Sequence, residues 1–194
     1  MDLDSLFVAF GTDKGGPNGW GYSPAYEKHF GPIRGSVKNV LEIGICGFRD
    51  IPNNVVGASL FAWREYFPEA TIHGLDNDGR FIFNDQHRIK TALCNAYDRV
   101  ELVKALINFH LDGPLDFICD DAVHDPLPQI DLARMLWPLL RKGGIYSIED
   151  VCPYKCPNNE LLSMCSILIE MFPDMHIDEY RTHKAERLLI LTKQ

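Results

Sequence analysis

Short apolar runs rich in β-branched residues recur along this chain, and longer segments of helical period separate them. A short run buried on both faces suits a parallel strand, and the helical segment after it supplies the crossover that parallel strands need. Residues 38–43 read as a first strand. Residues 58–67 read as a helix with Leu60, Trp63 and Phe67 on one face, stopped by Pro68. A second strand is expected over 71–76 and a third over 89–94, followed by a helix over 98–109 with Val100, Val103 and Ile107 as its apolar face. Residues 115–120 make a fourth strand. The stretch 127–140 reads as a helix closed by Arg141-Lys142-Gly143-Gly144, a basic last turn and a glycine stop, with a fifth strand over 145–148. A helix over 158–172 then leads to strands near 176–180 and 187–192, whose short separation predicts an antiparallel closing hairpin. The expected fold is α/β: a doubly wound, mostly parallel seven-stranded sheet with an antiparallel closing strand.

No repeat, low-complexity tract or linker interrupts this pattern, so residues 1–194 are expected to form one domain. The formal net charge of -8 argues against nucleic acid and anionic membrane as partners, because binding phosphate relies on an excess of Lys and Arg. No stretch approaches the roughly 20 apolar residues that span a bilayer. The start Met1-Asp2-Leu3-Asp4-Ser5 is acidic, unlike a secretion signal. Six cysteines without a CxxC pair read as reduced, mostly buried thiols of a cytoplasmic protein. Cys152 and Cys156, flanking a short turn, are spaced to meet a metal or each other. A homo-oligomer is compatible with all of this.

Ligands of an open α/β sheet bind beyond the carboxyl ends of its strands, and there this sequence collects acids and glycines. Glu42 and Gly44 end strand one, Asp76 ends strand two, Asn95 and Asp98 follow strand three, and Asp120 ends strand four. Gly44 and Gly47 let the backbone turn tightly and approach a ligand. Asp76 is placed to accept both hydroxyls of a ribose, and it would repel a 2′-phosphate. Neither G-x-G-x-x-G nor a phosphate-binding G-x-x-x-x-G-K-[ST] is present, so a nucleoside without a diphosphate fits better than NAD or ATP.

A second constellation follows strands four and five. Asp120-Asp121 with His124, and Glu149-Asp150, stand at strand ends that neighbours in a sheet hold about 5 Å apart. Carboxylates so gathered are costly unless a cation sits among them, and hard oxygen ligands favour Mg²⁺, Mn²⁺ or Ca²⁺. Spacing permits either Asp120 or Asp121 as a ligand.

Val40-Leu41-Glu42-Ile43-Gly44, Gly74-Leu75-Asp76 and Leu115-Asp116-Phe117-Ile118-Cys119-Asp120 resemble the successive motifs of class I S-adenosylmethionine-dependent methyltransferases, which have a Rossmann-like fold. Further pieces narrow the resemblance to metal-dependent sugar O-methyltransferases acting on macrolide antibiotics and to the related cephalosporin-hydroxylase-like group. They are Gly11-Thr12-Asp13-Lys14, Tyr26-Glu27-Lys28-His29-Phe30, Ser59-Leu60 through Trp63-Arg64-Glu65-Tyr66-Phe67-Pro68, Asp120-Asp121-Ala122-Val123-His124 and Ile148-Glu149-Asp150-Val151.

The resemblance covers nearly the whole chain in order. It implies S-adenosylmethionine as cofactor, held by Lys14, Glu42, Gly44, Gly47, Ser59, Asp76, Asn95, Asp98 and Asp120, with residues 1–36 covering the site. It also implies a divalent metal, Mg²⁺ or else Mn²⁺ or Ca²⁺, on Asp121, Glu149 and Asp150, with His124 as general base. The acceptor implied is a small molecule bearing a sugar hydroxyl. One departure stands out: residues 48–56 intervene where the family runs through glycines into the Ser59 helix, as an insertion beside the methionine end of the pocket.

Rival readings are a catechol-type phenol O-methyltransferase, which uses similar acids, and a binding module of the same fold without catalysis. Oxygenation would need a 2-His-1-carboxylate set, and none is recognisable.

Overall fold

The computed structural model describes residues 1–46, 55–83, 87–151, 158–183 and 187–194, apart from the side chains of 158–162. Its strands are β1 (Asn39–Ile43), β2 (Thr71–Asp76), β3 (Ile89–Leu93), β4 (Leu115–Asp120), β5 (Leu140–Ile148), β6 (Met175–Arg181) and β7 (Arg187–Lys193). The helices are α1 (Leu3–Phe10), α2 (Ser23–Phe30), α3 (Ala58–Tyr66), α4 (Arg99–Phe109), α5 (Pro126–Leu136) and α6 (Asn158–Met171). One sheet holds the seven strands in the order β3-β2-β1-β4-β5-β7-β6. The first five pair in parallel, while β7 runs antiparallel to both β5 and β6. The expected wound sheet with its closing hairpin is what forms.

Successive strand residues point to opposite faces, so each central strand feeds two cores. Val40, Ile72 and Phe117 face a core rich in aromatic rings beneath α1, α2 and α3. Within it Phe117 lies 4.5 Å from Phe30 and 5.2 Å from Trp63, centroid to centroid. Leu41, Leu75, Ile118 and Tyr146 face the other core, beneath α4, α5 and α6. Both faces being covered explains why these strands read as continuous apolar runs.

Helix α1 went unforeseen, although Asp2 caps it by accepting from the Ser5 amide and Gly11 ends it at φ 75°. Its Phe7 packs edge-on against Trp63 at 5.0 Å. That contact anchors the chain entering the loop 11–22.

Two expectations need correction. In α4 the buried face is Leu102, Ala105 and Phe109, while Val100, Val103 and Ile107 are 61%, 47% and 64% exposed. Both triplets have i, i+3, i+7 spacing, and they sit on nearly opposite sides of the helix. Periodicity alone therefore had no means to choose between them.

The other error is a boundary. Helix α5 stops at Leu136, a 3-10 turn follows over Trp137–Leu139, and Arg141-Lys142-Gly143-Gly144 lies inside β5 rather than capping a helix. Pro138 lacks the amide that would continue the α-helical ladder. Arg141 instead bonds to the Asp116 carboxylate across the β4–β5 pair, where the register shifts between Leu115 and Phe117.

Candidate active site

Parallel pairing brings the carboxyl ends of β1, β2, β4 and β5 to one edge of the sheet. Asp120 stands across from both Ile43 and Ile148, so the loops beginning at Gly44, Asp121 and Glu149 leave side by side. A cavity of about 900 Å³ opens above them. That is within the range of small-molecule and cofactor sites.

Gly44 is required where it stands. It adopts φ 83°, and a Cβ there would come 2.2 Å from the Asp121 carbonyl oxygen. Asp76 accepts from the Ile45 amide at 3.1 Å and from the Asp78 amide at 2.9 Å, which aims its carboxylate along the cavity wall. Glu42 is fully buried at the floor, accepting from Ser59 Oγ at 2.7 Å and Trp63 Nε1 at 2.8 Å. Burial raises its pKa, and Lys14 works against that rise. Asn95 also lines the cavity, with its side-chain oxygen accepting from the Tyr97 amide.

The carboxylate cluster lies at the other end. His124 Nε2 is 3.1 Å from Asp121 Oδ1 and 3.7 Å from Asp150 Oδ2. One ligand-type atom from each of Asp121, His124 and Asp150 lies within 4.8 Å of the others, a donor set suited to a divalent cation. His124 and Asp150 both have positive φ, 52° and 50°. Such backbone costs roughly 1–2 kcal/mol per residue and concentrates at functional sites. Burial acts to lower the His124 pKa, but the Asp121 hydrogen bond and charge, with Asp150 and Glu149, outweigh it and push the value to about 9.

Glu149 is held differently. Its Oε2 meets Lys14 Nζ at 2.6 Å, and its Oε1 accepts from the Tyr26 hydroxyl and lies 3.3 Å from Cys119 Sγ. Burial raises its pKa and the Lys14 charge opposes this. Lys14, 2% exposed, also stands 2.5 Å from Asp121 Oδ2 and 3.6 Å from Glu42 Oε1. The ammonium expected to help hold the cofactor is thus engaged by three carboxylates of the protein itself.

The sequence-derived set divides accordingly. Lys14, Glu42, Gly44, Ser59, Asp76, Asn95, Asp121, His124, Glu149 and Asp150 all line the cavity. Asp98 does not: its carboxylate caps α4, accepting from the Val100 and Glu101 amides. Asp120 does not either. It is fully buried near Tyr146, and burial, then the Asp121 charge, raise its carboxyl to about 8. Gly47, Cys152, Cys156 and most of the 48–56 insertion lie outside the described residues.

Tyr22 and Tyr26 were missed as site residues. Tyr22 donates to Asp150 and Tyr26 to Glu149. Tyr26 falls within a motif already singled out, but only the fold shows which acid its hydroxyl reaches. No helix among the described residues is long and apolar enough to cross a membrane.

No family model matches the chain. Among curated proteins it is 33% identical over 187 residues to the 8-demethyl-8-(2-methoxy-α-L-rhamnosyl)-tetracenomycin-C 3′-O-methyltransferase of Streptomyces olivaceus, covering 92% of this chain and 46% of that protein. It is also 33% identical over 151 residues to the mycinamicin VI 2″-O-methyltransferase of Micromonospora griseorubida, covering 77% of this chain and 36% of that one. Among solved structures, MycE methyltransferase from the mycinamycin pathway, in complex with Mg, SAH and mycinamycin VI, matches at TM-score 0.74 and 27% identity. That match covers 100% of this chain and 54% of that one. The chain thus spans about half, or less, of the length of these relatives. An SAH-bound Podospora anserina methyltransferase, at 16% identity and TM-score 0.62, shares the fold.

Proposed function

We propose that this chain, a class I S-adenosylmethionine-dependent methyltransferase domain by fold and a relative of the macrolide- and tetracenomycin-sugar O-methyltransferases, transfers a methyl group from S-adenosylmethionine to a hydroxyl of a sugar or glycosylated small molecule. The observation that carries this reading is one cavity with nucleoside-type strand ends at one side and the Asp121, His124 and Asp150 cluster at the other. Asp76 would take the ribose hydroxyls, while Glu42, Gly44, Ser59 and Asn95 would shape the rest of the cofactor pocket. Asp121 and Asp150 would hold Mg²⁺ or a similar ion, joined by Glu149 if it turns from Lys14.

A hydroxyl has a pKa far above 7, so its proton must be drawn away as the oxygen attacks. The ion, when bound, supplies positive charge for the developing alkoxide. His124 takes the proton at Nε2, the nitrogen that faces Asp121 and Asp150. It is free to do so once those carboxylates are shared with a cation, because they are what hold its own proton in the metal-free site. Tyr22 and Tyr26 fix the acids by donating to Asp150 and Glu149. Positioning supplies much of the remaining barrier reduction. The acidic net charge supports small molecules rather than nucleic acid or membrane as partners.

The test combines binding and turnover. Calorimetry should detect S-adenosylmethionine, and methyl transfer to a panel of rhamnosides should vanish with EDTA and return with Mg²⁺ or Mn²⁺. Catechols serve as the counter-panel, and preference for them would move the assignment to the phenol class. Turnover indifferent to chelation would remove the metal from the scheme. His124→Ala should abolish turnover while changing S-adenosylmethionine affinity by no more than about twofold.

A further inference from the structure

Lys14 has no task in the methyl transfer just described, yet it is the most heavily engaged cation of the site. Its ammonium donates to Asp121 and Glu149 and stands 3.6 Å from Glu42 Oε1. The segment bearing it is tied down on both sides of the loop. The Trp20 amide donates to the Asp13 carbonyl at 2.6 Å and the Tyr22 amide to the Lys14 carbonyl at 2.9 Å. The backbone bearing Lys14 is therefore fixed, and the bonds to Asp121 and Glu149 hold its ammonium.

Buried carboxylates are stable only when something neutralises them. Glu42 and Glu149 are 0% and 1% exposed, and Lys14 supplies their counter-charge from within the chain. It also holds Asp121 by Oδ2, leaving Oδ1 to His124. A divalent ion arriving at Asp121 and Asp150 thus meets, at Asp121, a carboxylate that a resident cation already holds along with Glu149. Two cations drawn to the same oxygens compete, and like charges this close in a partly dry site repel strongly.

We propose that Lys14 is the built-in counter-ion of the acidic cluster, displaced from Asp121 and Glu149 when a divalent cation binds and so limiting how tightly that cation is held. This rests on the metal-binding part of the proposed function. Lys14 acts here as a positioning residue: it keeps the cluster folded without metal and makes ion binding readily reversible.

The test uses Mn²⁺ calorimetry and thermal melting on cofactor-free protein. Lys14→Met should melt below the wild type without metal, bind Mn²⁺ at least about tenfold more tightly, and gain more in melting temperature on Mn²⁺ addition. Lys14→Arg, which keeps the charge, should stay within about threefold of wild-type Mn²⁺ affinity. Equal or weaker Mn²⁺ binding by Lys14→Met overturns the proposal, because Lys14 would then align the ligands rather than compete for them.

A wild-type measurement covers the case in which Lys14→Met does not fold. Acetylation of Lys14, read by mass spectrometry, should rise several-fold when Mn²⁺ saturates the site, and unchanged labelling refutes displacement. If neither wild type nor variant takes up Mn²⁺, the metal reading itself fails and this inference with it. If both bind equally, only the inference falls.

Discussion

In metal-free protein, the imidazole of His124 should titrate far above an ordinary histidine, and Asp121→Asn should bring it back down. The cause is geometric: Nε2 lies 3.1 Å from Asp121 Oδ1 and 3.7 Å from Asp150 Oδ2. These charges overcome the effect of burial and raise the pKa from 6.5 to about 9. Undiscounted, such a shift corresponds to about 3 kcal/mol in favour of the protonated form. The side chain is 35% exposed, so solvent screening reduces this to roughly 1–2 kcal/mol of stability.

The sign follows from linkage. A histidine whose pKa rises on folding stabilises fully below its unfolded value, near 6.5, and that stability is lost as pH rises toward about 9. The assay is an NMR titration of the imidazole resonances in EDTA-treated protein, with His124→Gln assigning the signal among the seven histidines. The midpoint should lie near 9 in the wild type and fall in Asp121→Asn; saturating Mg²⁺ should lower it as well, freeing the base. A metal-free midpoint at or below 6.5, or one that Asp121→Asn leaves in place, would falsify the electrostatic account of this site.

Three other outcomes test the fold and the assignment of residues. Gly44→Ala forces a left-handed backbone on a residue with a Cβ and drives that Cβ into the Asp121 carbonyl; urea unfolding should show a loss of more than about 2 kcal/mol. Asp98→Ala removes the α4 cap and should cost about 1 kcal/mol in the same assay, while calorimetry shows S-adenosylmethionine affinity unchanged. On α4, Leu102→Ala should destabilise by roughly 2–5 kcal/mol and Val103→Ala by less than about 0.5 kcal/mol. A reversed order would mean that the opposite helix face is buried.

The strands at 39–43, 71–76 and 115–120 were legible because parallel strands covered on both faces are largely apolar. The wound order then follows from a few topological rules, and it gathers the carboxyl ends of the strands at one edge. For that reason Glu42, Asp76, Asp121, His124, Glu149 and Asp150 could be grouped before any contact was known. Helix faces and boundaries were harder. Two apolar stripes of the same spacing compete on α4, and Pro138 ends α5 before the glycines that looked like its stop.

Sequence by itself determined the wound sheet and the edge at which its chemistry gathers, since these depend on local pattern and chain order. Tertiary structure alone decided what each polar group there faces. Asp120 ends β4 and is fully buried near Tyr146, while Asp121, the next residue, begins the loop that lines the cavity. Lys14 reaches Glu149 across 135 positions of chain, a contact that no local spacing encodes.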